Sequence, residues 1–413
     1  MRKVLTFFFL FVYSVACKPH QAYEIQPVSL TDNTINPDSM QRQLHALGEQ
    51  VQDAQIVLLG ENGHGVGTFS DIKVDLVQWL YTHHGFDTII FESGFFECSY
   101  AWERIDSLQP YEALQDCLRY PFQHAELLPL FAFIKQQQQT DRPLHLAGMD
   151  FQGQGYDSSP RPAYLHDALL PNNPQLARAL ATADSALHLA DEHGGKGNSR
   201  YIWAYQNQET LSKLYTEAAR HSKGWPKWTL NLTQGWIDRL SIRGAAESND
   251  TNRDLRYYEL RDEWMARAVA AHADSMGTRR KVLVWLHNDH GRYGNIDSHG
   301  GKATGNYLRT WYGEQVYSIG FFMGAGTITD NGRTEYTIQV PMQDSIASFM
   351  HANTHAASYL LLRENPLPTI NSWANTSQPY LRMGLTPHTM VPAAEFDALF
   401  FVHSVNPPNY RLR

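Results

Sequence analysis

The chain has 413 residues, with 34 Lys and Arg against 42 Asp and Glu and a formal net charge of -8. That acidic balance disfavours a polyanion partner and argues against nucleic-acid binding. The 43% hydrophobic content supports a substantial core, and the length suits one large α/β core with an insertion, or two intimately packed lobes.

At the start, Arg2 and Lys3 precede an apolar run from Val4 to Val12, and Ser14-Val15-Ala16-Cys17 follows, the layout of an export signal with small residues ahead of a cysteine. The run is shorter than the roughly 20 residues a transmembrane helix needs. It resembles a bacterial lipoprotein signal, although Ser14 stands where Leu is more usual. Residues 1–17 are therefore expected to act as the signal and Cys17 as the lipidated first residue of a protein exported and anchored to a membrane, on its periplasmic or outer-membrane side, with simple secretion as the alternative. Residues 18–40 are polar and without clear periodicity, so they read as a tether to a domain at 41–413. Cys98 and Cys117 then either pair or stay as two buried thiols, since spacing alone does not set disulfide geometry.

Gln41 to Gln52 predicts a first helix. Strand Ile56 to Leu59 runs into the turn Gly60-Glu61-Asn62-Gly63-His64, after which Phe69, Ile72, Leu76 and Leu80 recur at helical spacing as far as Gly85. Strand Thr88 to Phe91 completes a βαβ unit. A helix near Ala125 to Gln139 and strand Leu144 to Ala147 come next. From Asp150 to Lys281 no strong strand is visible. Amphipathic stretches near Tyr164 to His193, Asn207 to Lys223, Thr229 to Arg243 and Thr251 to Ser275 instead predict a helical insertion at about 155–278, lying over the active edge of the sheet. Its Trp203, Trp225, Trp228, Trp236 and Trp264 either line a cap suited to a bulky, partly apolar substrate or hold the helices together. Strands at Lys281 to Leu286, Val316 to Phe322, Tyr336 to Val340, Ser358 to Leu362 and Ala398 to His403 finish the chain. The fold class predicted is α/β, a mainly parallel central sheet flanked by helices, with the large helical insertion as a cap.

Four of these apolar runs end in ionisable groups: Glu61 with His64, Glu92, Asp150, and His287. Ligands collect outside the carboxyl ends of strands in open α/β sheets, so the repetition reads as one active site assembled from distant segments. A neutral imidazole at His64 can take a proton from water, with Glu61 and Glu92, on the expected neighbouring strand, orienting the ring. In His287-Asn288-Asp289-His290 two histidines can face one centre, either as ligands of a divalent metal together with a carboxylate or as oxyanion donors and substrate-positioning groups. Lys73 could place positive charge near the carboxylates, and Arg261 could pair with Asp150 or a substrate oxygen. Gly-x-Ser-x-Gly is absent around the strand ends, and Gly324-Ala325-Gly326-Thr327 lacks the third glycine of a dinucleotide loop. Direct water attack therefore fits better than a covalent seryl intermediate.

Leu59-Gly60-Glu61-Asn62-Gly63-His64-Gly65, Phe91-Glu92, Arg261-Asp262-Glu263-Trp264-Met265-Ala266 and Trp285-Leu286-His287-Asn288-Asp289-His290 stand in the order found in the erythromycin esterase family. With Gly320-Phe321-Phe322 through Gly326-Thr327, the resemblance spans most of residues 58–327. It implies an α/β hydrolase without a serine nucleophile, in which the histidine matching His64 activates water to open a macrolide lactone. By the same match Glu61, Glu92, His287 and His290 complete the centre, and Lys73 stands where relatives often have Arg, which keeps the charge but loses the guanidinium fork. The expectation is an exported hydrolase of a small-molecule carboxylic ester or macrolide-type lactone, of the kind linked to antibiotic resistance, with Lys73, Asp150 and Arg261 in support. No cofactor is firmly implied. A divalent-metal hydrolase and a haem- or ligand-binding surface lipoprotein are the rival readings.

Overall fold

The computed structural model describes residues 24–151, 159–192, 199–245, 253–274, 280–296, 300–339, 345–351, 355–363 and 373–412. The expected export signal and Cys17 lie outside them. Among the described residues the strands are β1 (Ile25–Val28), β2 (Leu30–Thr31), β3 (Thr34–Ile35), β4 (Ile56–Leu59), β5 (Thr88–Gly94), β6 (His145–Asp150), β7 (Val282–Trp285), β8 (Val316–Thr329), β9 (Glu335–Ile338), β10 (Ala357–Leu361), β11 (Gln378–Arg382), β12 (Thr386–Met390) and β13 (Ala398–Val405). The main sheet runs β1-β10-β13-β8-β4-β7-β5-β6, with β9 also on β8. The pairs from β13 through β8, β4, β7 and β5 to β6 are parallel, whereas β1, β10 and β9 pair antiparallel. This is the mainly parallel α/β sheet the strand spacing implied.

Both faces of that sheet are covered, which explains why β4 reads as an unbroken apolar run rather than an alternating one. Val57 and Leu59 pack with Phe69, Ile72, Leu76 and Leu80 of the helix Gly67–His84 in one core cluster. Ile56 and Leu58 point the other way, into a second cluster built with the inserted helices. Full burial of each such aliphatic side chain contributes about 1.5–3 kcal/mol, so one strand ties both layers together.

Between β6 and β7 come the helices Arg161–Leu169, Pro174–Glu192, Ser199–Gln206, Gln208–Arg220, Gly224–Ala245 and Arg253–Ala273. Two of the five tryptophans there act as packing groups. Trp236 is fully buried in the second cluster. Trp264 lies over Gly235, where an added Cβ would stand only 2.4 Å from the indole ring, so glycine is what lets these helices close together. Trp225 and Trp228 face the opposite end of the sheet from the ionisable strand ends, which removes them from the expected substrate cap.

Several elements differ from the sequence reading. The stretch read as a tether carries β1, which joins the sheet edge against β10, and a two-residue ribbon of β2 with β3. Edge pairing is made by backbone groups, so it needs little apolar patterning. The expected first helix breaks at Leu44 into Met40–Gln43 and His45–Val51. The helices Phe95–Glu103 and Pro110–Cys117 and the β11–β12 hairpin were not anticipated. Cys98 and Cys117 are free and buried, the Cys98 thiol donating to the Cys117 carbonyl at 3.2 Å.

Candidate active site

The order β4-β7-β5-β6 sets the carboxyl ends of four parallel strands side by side and so gathers the ionisable groups predicted from the sequence. After β4 the chain turns through Gly60 to Gly65. Gly65 pairs in an isolated bridge with Thr329 at the end of β8, and a Cβ there would meet the Thr329 carbonyl at 2.0 Å, so only glycine brings the turn this close. Asn62 pins the other side, donating to the Leu381 carbonyl at 2.7 Å and accepting from the Met383 amide at 3.1 Å in the β11–β12 hairpin.

Glu61 is buried, and both its oxygens are engaged. Oε1 holds His64 Nδ1 at 2.7 Å; Oε2 accepts from Lys73 Nζ at 2.7 Å and from the Trp285 indole at 3.0 Å. Burial alone would raise this carboxyl, but Lys73 and His64 outweigh it and hold the pKa at about 2. An ionised carboxylate only accepts, so His64 Nδ1 carries a proton and Nε2 is left as the basic nitrogen. Lys73 is wholly buried; burial lowers its pKa to about 8 against the pull of Glu61, and its ammonium sits 4.0 Å from the Trp285 ring centroid. Phe122 meets the His64 ring edge-on at 4.6 Å, leaving a side chain 12% exposed.

His287 follows β7, its ring centroid 5.2 Å from that of His64. The Asp289 backbone amide, which can only donate, bonds His287 Nδ1 at 3.1 Å. Burial keeps the ring neutral, lowering its pKa to about 4 although Asp289 pulls it up. The proton therefore resides on Nε2, and that buried nitrogen has no hydrogen-bond partner among the described residues. Asp289 is itself held by Arg382 Nε at 2.7 Å, and Asn288 bonds the β8 backbone on both sides of its amide, fixing the turn.

Glu92 does not do what its position suggested. Strand β7 lies between β4 and β5, so Glu92 is one strand removed from His64 and hydrogen-bonds other groups. Its Oε2 accepts the His287 backbone amide at 2.9 Å, and its Oε1 accepts Arg261 Nη2 at 2.9 Å. Arg261 also reaches Asp150 Oδ2, from Nη2 at 2.6 Å and from Nε at 3.2 Å, as the sequence reading allowed. Burial would raise both carboxyls, yet His290 and Arg261 hold Glu92 well below the usual carboxylate range, and Arg261 with Arg119 lowers Asp150.

His290, expected as a second oxyanion donor, has both nitrogens occupied. Nδ1 faces Asp262 Oδ1 at 2.7 Å, and Nε2 lies 2.9 Å from Arg261 Nη1 and 3.3 Å from Glu92 Oε1. The approach of Arg261 favours a neutral ring. Burial does too, but Asp262 and Glu92 raise the pKa to about 9. We favour the charged ring, because carboxylate oxygens face both of its nitrogens, Asp262 Oδ1 at 2.7 Å and Glu92 Oε1 at 3.3 Å.

Asp262, Asp289, Trp285 and Arg382 were not assigned roles from the sequence. The first three sit inside the quoted motifs, so a signal was present; Arg382 had none. A divalent metal does not fit this donor set. Among the described residues no group of three or more His, Cys, Asp or Glu side chains is placed to hold one, and the oxygens of Glu61 and Glu92 are already bound by cations and N–H groups. What the arrangement offers is a fixed basic nitrogen beside an unsatisfied N–H donor.

Known proteins share this fold and the family to which it points. The family model described as Erythromycin esterase matches residues 81–405. A protein of Bacillus subtilis (strain 168) named Putative hydrolase YbfO is 23% identical over 391 residues, covering 89% of this chain and 87% of that protein. A Bacillus cereus protein of solved structure superposes with a TM-score of 0.75 at 20% identity, over 94% of this chain and 96% of that one. A mutant of the erythromycin esterase EreC in its open conformation gives a TM-score of 0.63 at 16% identity, over 94% of this chain and all of that one. At such identities the structural matches speak for the fold alone.

Proposed function

The chain belongs to the erythromycin esterase family, and from that premise we propose that it is a hydrolase that cleaves a carboxylic ester or lactone of a small molecule by direct attack of water. The observation that carries this reading is the pair His64 and His287, one with its basic Nε2 set by Glu61 and the other with an Nε2–H that lacks an acceptor. Water beside His64 gives its proton to Nε2 as its oxygen bonds the carbonyl carbon, and the carbonyl π electrons move onto oxygen. His287 Nε2–H stabilises that oxyanion. Collapse re-forms the carbonyl and expels the alkoxide, which recovers the proton from the His64 imidazolium. Glu92 holds both Arg261 and, through the His287 backbone amide, the β7 turn, and His290 is fixed between Asp262 and Glu92; both are positioning residues.

The test is turnover of a panel of macrolides and simple aryl esters in ¹⁸O-labelled water. One label is expected in the acid product, with no turnover by a folded His64→Ala protein. Undiminished cleavage by that variant would remove His64 from the role. We also propose, from residues 1–17, that the protein is exported and lipid-anchored at Cys17; labelled fatty acid incorporated by the wild type and not by Cys17→Ser is the expected result.

A further inference from the structure

A cavity of about 540 Å³ opens at the amino ends of the same strands whose carboxyl ends form the candidate active site. The first residues of β5 and β6, Thr88 and His145, lie in its wall. The six residues of β6 place it roughly 17 Å from Asp150 at the strand's other end. Its volume is within the range of small-molecule sites.

The walls are aromatic. Trp225 and Trp228 stack at 6.1 Å, and His272 lies 5.0 Å from Trp228; Trp102 and His145 form a second pair at 5.0 Å. Burial and then the nearby Arg280 hold His145 and His272 at about 4, so both rings are uncharged near neutral pH. The cations Arg280 and Lys227 line the opening, and no ion pair or side-chain hydrogen bond binds either among the described residues. One acid, Glu103, shares the wall, and the Tyr164 hydroxyl bonds both its oxygens; the Thr88 hydroxyl bonds Asp87. The Trp225 indole N–H is buried without an acceptor. Indole and imidazole faces accept a flat ring, and an arginine fork with a spare N–H accepts a carboxylate.

We propose that this cavity is a binding site for an aromatic carboxylate, separate from the hydrolytic centre. The ring lies among Trp102, Trp225 and Trp228, and the carboxylate meets Arg280, with Lys227 adding charge at the rim. The helix Arg253–Ala273 carries His272 at this cavity and Arg261 at the other site, so one rigid element borders both.

The experiment is a titration of the full chain with 2-naphthoate, followed by tryptophan fluorescence and by the Trp225 indole N–H resonance, assigned with Trp225→Phe. Saturable binding is expected. Because Lys227 is exposed and Arg280 partly exposed, their substitution leaves the fold intact; Arg280→Gln weakens binding about tenfold or more, and Lys227→Gln less. The uncharged 2-naphthalenemethanol binds about tenfold more weakly than the acid. His64→Ala leaves the affinity unchanged, because the probe does not enter the catalytic centre. Absence of saturation, equal affinity in Arg280→Gln, or loss of binding in His64→Ala would each overturn the proposal.

Discussion

Glu61 Oε1 stands 2.7 Å from His64 Nδ1, while its other oxygen is claimed by Lys73 and Trp285. This division makes Glu61→Gln more damaging than loss of one charge. The amide oxygen goes to the side of the two donors, so the amide nitrogen faces His64 and reverses the imidazole tautomer. The proton then sits on Nε2, where the base is needed. We expect kcat/KM to fall by about 10³- to 10⁴-fold, comparable to asparagine at the aspartate of a catalytic triad. Steady-state kinetics with a melting curve on the same preparation decides; wild-type turnover would refute the tautomer argument.

His287 donates from an Nε2–H with no ground-state acceptor among the described residues, so its contribution belongs to the transition state. His287→Ala should lower kcat by about 10²- to 10³-fold and leave KM near the wild-type value. A rise in KM at constant kcat would instead make His287 a substrate-binding group.

The same ring is a source of acid sensitivity. Burial lowers its pKa to about 4 from the ordinary 6.5. As pH falls from about 6.5 to about 4, the unfolded chain takes up this proton and the folded chain does not, so stability is lost through that window. His287→Asn should flatten the stability profile there by about 1 kcal/mol per pH unit. Urea melts of both proteins across the window read the difference directly, and parallel profiles would contradict it.

How much of this was legible in the sequence follows from where each residue's role originates. Glu61, His64, Asp150 and His287 each follow an apolar run that can only be a buried strand, so their shared edge was visible. Glu92 was placed at that edge but given the wrong partner, because strand order is a tertiary property and β7 inserts between β4 and β5. Asp289 lies inside the motif Trp285 to His290 but acts on His287 through its backbone amide, which no side-chain pattern records, and Arg382 acts across 93 residues and leaves no spacing signal. The edge strand β1 was hidden because backbone pairing, not a hydrophobic pattern, holds it.

Arg261 bridges Glu92 and Asp150 from one guanidinium. Removing it as Arg261→Met leaves two buried carboxylates with Arg119 on Asp150, and His290 and the His287 amide on Glu92, and should destabilise the fold by up to about 3–5 kcal/mol. Arg261→Lys keeps the charge but cannot span both carboxylates with a fork, so it should fall between. Adding Asp150→Leu to Arg261→Met should recover part of the loss, since a buried charge that has lost its shortest ion pair is gone. Urea denaturation of the set tests this; a double variant less stable than Arg261→Met would show that Asp150 is not the group Arg261 neutralises.

Lys73 supplies a test at the alkaline end. Burial lowers its pKa to about 8, against the opposing pull of Glu61, from an ordinary 10.5. Below pH 8 the folded and unfolded chains both carry the proton, and the cost of burying the ammonium is fully present. Between about 8 and 10.5 the folded chain releases it and the unfolded chain keeps it, so this group's contribution to stability improves as pH rises. Unfolding at pH about 9 should therefore take up close to one more proton in the wild type than in Lys73→Met. Calorimetric unfolding in buffers of different ionisation enthalpy measures that difference. Equal uptake in the two proteins would mean that Lys73 holds its proton throughout this range and that Glu61 binds a permanent cation, as it would with arginine at this position.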